Sequence, residues 1–159
     1  MRVHILAYRP AHARGVRELI VPIQRQEFGI DIAYEDQPDL VDIDGFYRPG
    51  NGEFWVAADD GRVVGTIALK DIGDGQGALR KMFVASELRG TGTADRLLTT
   101  LLKHAQASGF REVLLGTTAQ FPAAHRFYEK NGFNLIDESD LPDTFPRMAV
   151  DTRFYRMAL

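Results

Sequence analysis

The sequence predicts one α/β domain with a mixed, mostly antiparallel twisted sheet of about seven strands, flanked by about four helices. The chain of 159 residues has the size of a single domain. Its middle third reads as strands separated by hairpin signals, and two strand-helix units follow that run. We therefore expect residues 1–159 to fold as one unit.

The amino-terminal part predicts a strand and then a long helix. Residues 3–9, VHILAYR, favour a strand. A helix begins at Pro10, since proline suits a first turn, and runs to about Gln26. Its apolar positions recur at helical spacing and are Val16, Leu19, Ile20 and Ile23. Residues 26–47, which we call the acidic segment, follow as a short helix or an ordered loop.

Two turns divide the middle of the chain into three strands. Residues 53–72, EFWVAADDGRVVGTIALKDI, give two β-rich stretches around Asp60-Gly61. This dipeptide is typical of tight hairpins because both of its residues tolerate a positive φ. Residues 73–77, GDGQG, make the second turn, and residues 78–85, ALRKMFVA, make the third strand.

The remainder predicts two strand-helix units and a closing pair of strands. The first helix presents one apolar stripe, formed by Ala94, Leu97, Leu98, Leu101, Leu102 and Ala105. The second has Pro122 in its first turn and Gly132 past its end. In order, the elements are a helix from Ala94 to about Gly109, a strand at 111–118, a helix at 122–132, and strands at 133–139 and 149–159.

The composition excludes several classes of protein. There is no cysteine, so neither a disulfide framework nor a thiolate metal site can form. The opening MRVHILAYRP reaches a charge and a proline too early for a signal peptide, and no apolar run has membrane-spanning length. A formal net charge of -3 argues against a nucleic-acid binder. The four histidines lack ligand spacing, so we expect no metal site. Without cysteine, a signal peptide or a membrane span, we expect a soluble, cytoplasmic protein.

Charge is unevenly distributed along the chain. The acidic segment has no Lys, Arg or His, and its seven acids are Glu27, Asp31, Glu35, Asp36, Asp39, Asp42 and Asp44. They leave 15 of the 22 acidic residues against 19 basic ones, so the rest of the chain is mildly basic. The segment is either a solvated acidic face or a surface that attracts a small cationic amine.

The sequence RGTGTA, residues 89–94, stands between a strand and the amphipathic helix. A helix amino terminus exposes unpaired N–H groups, and glycines let an anion approach them. The turn suits a phosphate, although such glycines can also serve only to reverse the chain. The P-loop pattern is absent, and a dinucleotide fingerprint would need Gly or Ala at Asp95. GDGQGA at 73–78 opens no helix, so we interpret it as a plain turn.

Arg89, Gly92 and Ala94 meet the pattern Arg/Gln-x-x-Gly-x-Gly/Ala. Here the sequence resembles the GNAT superfamily of acetyl-CoA-dependent N-acetyltransferases. RKMFVASELRG resembles the family's fourth strand and its exit, and AAHRFYEKNGF resembles its helix ending in Phe-Tyr-Glu-Lys-x-Gly-Phe. The resemblance covers residues 78–135 closely. It implies a GNAT-like fold and direct attack of an amine on acetyl-CoA in a ternary complex, without a covalent enzyme intermediate.

The resemblance also implies where coenzyme A binds. Its pyrophosphate would lie on the backbone of a turn formed by Arg89, Gly90, Thr91, Gly92, Thr93 and Ala94. Its pantetheine arm would follow the strand edge at Met82, Phe83 and Val84, with the Val84 N–H polarising the thioester carbonyl. Many members carry an Asn where this chain has Phe121, and the neighbouring Gln120 is a substitute for that contact.

Tyr128 aligns with the tyrosine that assists the departing thiolate in many members of the family. A phenol of pKa near 10 is a weak proton donor to a thiolate of pKa about 8.5, so we expect Tyr128 to donate a hydrogen bond more than a proton. The same helix places Phe127 and Tyr128 where core aromatic residues would also fit. His125 lies on this helix too, and we expect it at the surface.

The acceptor needs a base, because an alkyl ammonium of pKa about 10.4 is almost fully protonated near neutral pH. Glu27 and Asp31 are the candidates at the end of the first helix, with Glu35 and Glu53 as further ones. Each of these residues also fits a solvated acidic face.

Three functions are compatible with the sequence. The first is acetyl transfer from acetyl-CoA to a small cationic amine; the second is a non-catalytic acyl-CoA-binding sensor or interaction module. Phe121 favours the sensor, whereas Tyr128 favours the enzyme. The third, transfer of a longer acyl group, requires room beside Met82 and Phe83. The closing strand at 149–159 is compatible with the shared edge of a homodimer.

Overall fold

The computed structural model describes residues 2–118 and 122–159, and within them seven strands form one sheet. The strands are β1 (Val3–Ala7), β2 (Glu53–Asp59), β3 (Arg62–Asp71), β4 (Gln76–Val84), β5 (Glu112–Thr117), β6 (Asn134–Ile136) and β7 (Arg153–Ala158). They lie in the order β1-β2-β3-β4-β5-β7-β6. Neighbours are antiparallel except β4 and β5, which are parallel. The mixed, mostly antiparallel sheet is confirmed.

Five helices accompany the sheet in the described part of the chain. They are α1 (Ala13–Pro22), α2 (Pro38–Val41), α3 (Ile43–Tyr47), α4 (Thr93–Ala107) and α5 (Pro122–Lys130). A π-helical turn, Ile23–Glu27, extends α1 to about the predicted end. The acidic segment holds two short α-helices where a short helix or an ordered loop was expected. Asp42 separates α2 from α3, and its side chain accepts from the Gly45 N–H.

The helices cover opposite faces of the sheet. The α4 stripe packs against one face, which we call face A, together with Tyr128 and Phe133 from the region of α5; its buried members are Leu97, Leu98, Leu101 and Ala105. Helices α1 to α3 cover the first strands on the other face, face B, and pack there around Tyr47 and Phe54. The loop before β7 covers the last strands through Leu141 and Phe145. Face B therefore carries two separate covers, and we call the part of the sheet between them the face B cleft.

Both predicted turns are confirmed. Asp60 and Gly61 have φ values of 50° and 83°, so the β2–β3 hairpin has two left-handed residues at its tip. Asp74 and Gly75 also have positive φ, and the Ile72 N–H donates to the Gln76 carbonyl at 3.1 Å to close the turn before β4. GDGQGA is thus a turn between two strands, as interpreted from the sequence.

The position of β7 corrects one expectation. The closing strand pairs with β5 on one side and with β6 on the other, so it is an interior strand and cannot supply a shared edge. The sheet ends at β1 and β6, and β6 is only three residues long. No helix of the described residues has the length and apolar character needed to cross a membrane.

Candidate active site

The sheet opens between its two parallel strands. β4 and β5 pair only through Gln76–Ala78 and Glu112–Leu114, although both strands continue beyond these residues. Arg80 and Gly116 each lie two residues past the last paired position, on either side of this opening. An opening in the middle of a sheet exposes backbone N–H and C=O groups that would otherwise form hydrogen bonds with the neighbouring strand.

A β-bulge shapes the β4 side of the opening. Arg80 lies opposite Ala68 and Phe83 opposite Thr66, so two residues of β4 face the single residue between them. Lys81, one of the two, has a φ of 53°, and its carbonyl accepts from the Thr66 hydroxyl at 2.7 Å. The extra residue interrupts the alternation of side chains, and both Arg80 and Lys81 contact residues of face B.

The bulge also determines how the predicted pantetheine residues are placed. Met82 and Val84 pack against the core of face A, and Phe83 packs on face B, 6.0 Å from Phe28 between ring centroids. The Ala85 N–H donates to Val64 on β3. Because successive N–H groups along a strand point to opposite edges, the Val84 N–H points away from β3, into the opening.

The turn before α4 has the geometry expected of an anion site. Gly90 and Gly92 have φ values of 78° and 90°, and Gly92 is the N-cap residue of α4. A Cβ added to either glycine would meet no atom within 4 Å, so the space in front of both is open. Thr91 and Thr93 face each other at 3.1 Å between their hydroxyl oxygens, and Ala94 is half-buried in the first helical turn.

Arg89 connects this turn with both β4 and the end of the first helix. Its Nε donates to the Val84 carbonyl at 3.1 Å, and its Nη1 donates to the Glu27 carboxylate at 2.6 Å. The structure thus brings together a predicted coenzyme residue and a predicted base. Glu27 is therefore engaged by a guanidinium, while Asp31 is exposed on the following loop.

The other carboxylates near the acidic segment have local partners. Glu53 bonds Arg48 at 2.7 Å, and Glu35 lies 3.7 Å from Arg17. Within the segment, the remaining acids cap backbone N–H groups or pair with bases: Asp36 with the Ala33 N–H, Asp42 with Gly45, Asp44 with Arg48, and Asp39 with Lys81. These contacts give the segment a structural role.

Tyr128 lies on the face A side of the opening. It is 8% exposed and makes edge contacts with Phe127 and Phe133 at 5.5 and 5.6 Å between ring centroids. Burial, and then the nearby Asp151 carboxylate, raise the pKa of Tyr128 above its usual value of 10.0. The phenol therefore keeps its proton throughout the physiological range and is suited to donate a hydrogen bond.

Asp151 approaches the same opening from face B and was not predicted. Its N–H donates to the Met148 carbonyl at 3.0 Å, and its carboxylate packs directly against Gly116, where a Cβ would lie 2.6 Å from it. Burial raises its pKa from 3.8 to about 6, while Arg80 and Lys81 act in the opposite direction. A half-buried carboxylate near pKa 6 is ionised at neutral pH and able to accept a proton. The one signal for it in the sequence is Gly116, because a glycine inside a strand often marks a place where another group approaches closely.

His125 corrects an expectation, since it is buried and not at the surface. The Arg153 guanidinium donates to its Nδ1 at 2.8 Å, which leaves Nε2 to donate to the Thr118 carbonyl at 2.9 Å. The two contacts join α5 to β7 and to the end of β5. The predictions for Gln120 and Phe121 lie outside the described residues. Among those that are described, no three His, Cys, Asp or Glu side chains are grouped to hold a metal ion.

A family model agrees with this geometry. The Acetyltransferase (GNAT) family model matches residues 16–133, which is most of the chain and includes β4, the glycine turn and α5. The chain therefore belongs to the GNAT acetyltransferase family, as its motifs suggested.

Individual relatives agree with the family assignment. The structure of a GNAT-family acetyltransferase from Staphylococcus aureus Mu50 is 35% identical, with a TM-score of 0.95 and 99% of both chains covered. An N-acetylaspartate synthetase from Danio rerio is 38% identical over 104 residues, 64% of this chain, but this chain spans only 37% of that protein. A PaiA N-acetyltransferase from Thermoplasma acidophilum in complex with coenzyme A shares the fold, at 17% identity, a TM-score of 0.78 and 100% of both chains.

Proposed function

We propose that this protein transfers the acetyl group of acetyl-CoA to the nitrogen of an amine. The observation that carries the proposal is the opening between β4 and β5. It has the Val84 N–H on one edge, the Tyr128 phenol on face A and the Asp151 carboxylate on face B. An acyl transfer needs these three things: a donor for the developing oxyanion, a donor for the leaving group and an acceptor for a proton.

The glycine turn is the proposed site of the coenzyme's pyrophosphate. The open space before Gly90 and Gly92 admits an anion to the amino terminus of α4. Arg89 adds a positive charge beside it, and the hydroxyls of Thr91 and Thr93 line it. From there the edge of β4 at Met82, Phe83 and Val84 leads to the opening, as a pantetheine arm requires.

Three residues would each take one role in the reaction. Asp151 takes one proton from the ammonium, directly or through water, and the neutral nitrogen attacks the thioester carbon. The Val84 N–H stabilises the negative charge on the thioester oxygen. When the carbon–sulfur bond breaks, Tyr128 donates a hydrogen bond to the sulfur, and the second proton of the nitrogen passes to the thiolate. The products are an N-acetyl amide, coenzyme A as thiol, and one proton left on Asp151.

The class of amine is the open part of this proposal. A small cationic acceptor was expected from the acidic segment, but most of its carboxylates have local partners, so that segment gives the expectation little support. The name of the synthetase relatives makes aspartate one acceptor to test.

We further propose a cytoplasmic, single-domain protein that needs no metal and is monomeric or homodimeric.

The second candidate function is an acyl-CoA sensor that binds the coenzyme without turnover. Phe121, in place of the Asn found in many members, is the feature that favours it. Asp151 favours the enzyme, because a sensor gains nothing from a half-buried carboxylate whose pKa is raised to about 6.

The proposal is tested by measuring thiol release from acetyl-CoA across a panel of amines, with calorimetric titration of coenzyme A alongside. We expect turnover with one class of amine, and Tyr128→Phe should lower kcat by about 10- to 100-fold while coenzyme affinity is kept. Coenzyme binding without turnover on any amine would favour the sensor. Absence of coenzyme binding would contradict both functions.

A further inference from the structure

Arg80 has an unusual environment for an arginine. It is half-buried at the opening, yet no carboxylate of the described residues lies within 4 Å of its guanidinium. Its Nη2 lies 3.4 Å from the Met148 sulfur, and its Cζ lies 5.5 Å from the centre of the Phe46 ring. Neither the thioether sulfur nor the aromatic ring carries a negative charge, so the charge of the guanidinium stays uncompensated. Arginine in such a place is normally paired with an anion.

The neighbouring charges do not supply that anion. Lys81 and Asp39 neutralise each other at 3.4 Å, with both side chains only 6% exposed. Lys70 adds a further cation, 4.1 Å from the same Phe46 ring that Arg80 contacts. Asp151 faces Arg80 across the opening, but it lies beyond ion-pair distance. These five groups comprise three cations and two carboxylates, so together they carry one more positive than negative charge.

The position of Arg80 relates this charge to the chemistry. It lies two residues beyond the last β4–β5 pair, level with Gly116, against which Asp151 packs. On face B, the Asp151 carboxylate therefore faces the Arg80 guanidinium. Its planar fork of donors matches a carboxylate through two parallel hydrogen bonds.

We infer that the acceptor is an amine that also carries a carboxylate, and that Arg80 binds the carboxylate while the amine faces Asp151. This inference rests on the proposed function and adds the class of acceptor to it. Arg80 is then the specificity-determining residue. The bulge at Lys81 serves this role, because it turns Arg80 and Lys81 to the same face.

The test uses pairs of amines in which a carboxamide replaces the carboxylate, such as β-alanine and β-alaninamide or glycine and glycinamide, with kcat/KM expressed per neutral amine because the replacement also lowers the pKa of the amine. We expect the wild-type protein to prefer the carboxylate of a pair in kcat/KM by roughly 10- to 100-fold, the usual value of a hydrogen-bonded charge. Arg80→Met should bring the ratio close to one, and Arg80→Lys should restore part of it. Coenzyme titration of each variant confirms that it is folded.

Arg14→Met is the matched control. Arg14 has an 89% exposed side chain on α1, so this variant removes the same charge without touching the cleft. It should keep the wild-type preference. A preference that survives Arg80→Met, or equal use of acids and amides by the wild type, would overturn the inference while leaving the proposed function intact. Failure to turn over any amine would instead contradict the proposed function.

Discussion

Asp151 owes its raised pKa to its position in the fold. In the sequence it is one of many acids, in a loop far from the motif residues. In the structure a turn closed by the Met148 carbonyl sets it against Gly116, where the missing side chain leaves room for a carboxylate. Partial removal from water then raises its pKa to about 6. The same residue on an open loop would have no such pKa.

The role of Asp151 as proton acceptor predicts a particular pH dependence. Because its pKa is raised to about 6, the basic form is lost as the pH falls through that value, and kcat/KM should fall with it. Arg80 and Lys81 from β4 and Tyr128 from α5 are the groups that face it. Asp151→Asn should lower kcat/KM by about 10²- to 10⁴-fold and remove this acid limb. Rate profiles from about pH 5 to about pH 9 measure both, and a limb that persists in the variant would assign it to another group.

At the scale of single elements, the turn before α4 joins conformation to binding. Only residues that tolerate a positive φ can place the chain so that open space remains before the helix amino terminus. The turn residues therefore do two things, since they fix the backbone and leave room for a ligand.

Gly92→Ala separates these two effects. The added Cβ meets no protein atom, so the variant should lose about 1 kcal/mol of stability from its strained φ and also bind coenzyme A at least about 10-fold more weakly. Gly61→Ala is the control, because Gly61 has a similar φ of 83° and the same open surroundings in the β2–β3 hairpin. It should show the stability loss alone, by calorimetry of both unfolding and binding. Equal coenzyme affinity in the two variants would show that the turn does not bind the phosphates.

The bulge in β4 is held by a buried ion pair between two elements. Asp39 accepts from Tyr47 at 2.6 Å and pairs with Lys81, which also donates to Gln37 at 2.8 Å. Burial lowers the pKa of Lys81, and the Asp39 carboxylate opposes that shift. The contacts fix a left-handed residue that few side chains adopt.

Breaking this pair from one side should be costly. Asp39→Leu leaves the Lys81 charge buried with only a neutral partner, so we expect a loss of about 3 kcal/mol or more in the free energy of unfolding. Adding Lys81→Met should recover much of it, giving a double-mutant coupling above about 1 kcal/mol. The exposed Arg14–Glu18 pair, treated in the same way by urea unfolding, should show little coupling. Additive effects at Asp39 and Lys81 would mean that the pair does not hold the bulge.

At the scale of the whole molecule, the sequence is informative where one local pattern decides the outcome. The stripe of α4, the Asp60-Gly61 hairpin and the glycine turn were predictable because spacing or a φ preference determines each of them. The bulge at Lys81 was not, since it depends on pairing with β3 and on Asp39.

Contacts between distant parts of the chain explain the remaining differences between the sequence predictions and the structure. The interior position of β7 is decided by which strand pairs with β5, a contact between distant parts of the chain. His125 is buried because Arg153 and the end of β5 reach it from outside its own helix. Asp151 meets the opening for the same kind of reason. Motifs therefore predicted the proposed coenzyme side of the site, whereas the proposed acceptor side depends on tertiary contacts alone.

A product balance with ¹³C-labelled acetyl-CoA tests directly whether the protein is an acetyltransferase. The protein is incubated with the labelled donor and the best amine, and mass spectrometry quantifies the N-acetyl product while thiol release is followed in the same sample. We expect labelled amide and free coenzyme A to form in equal amounts, and we expect Asp151→Asn to slow the formation of both. Thiol release without labelled amide, or labelled amide that forms as fast without the protein, would contradict this expectation.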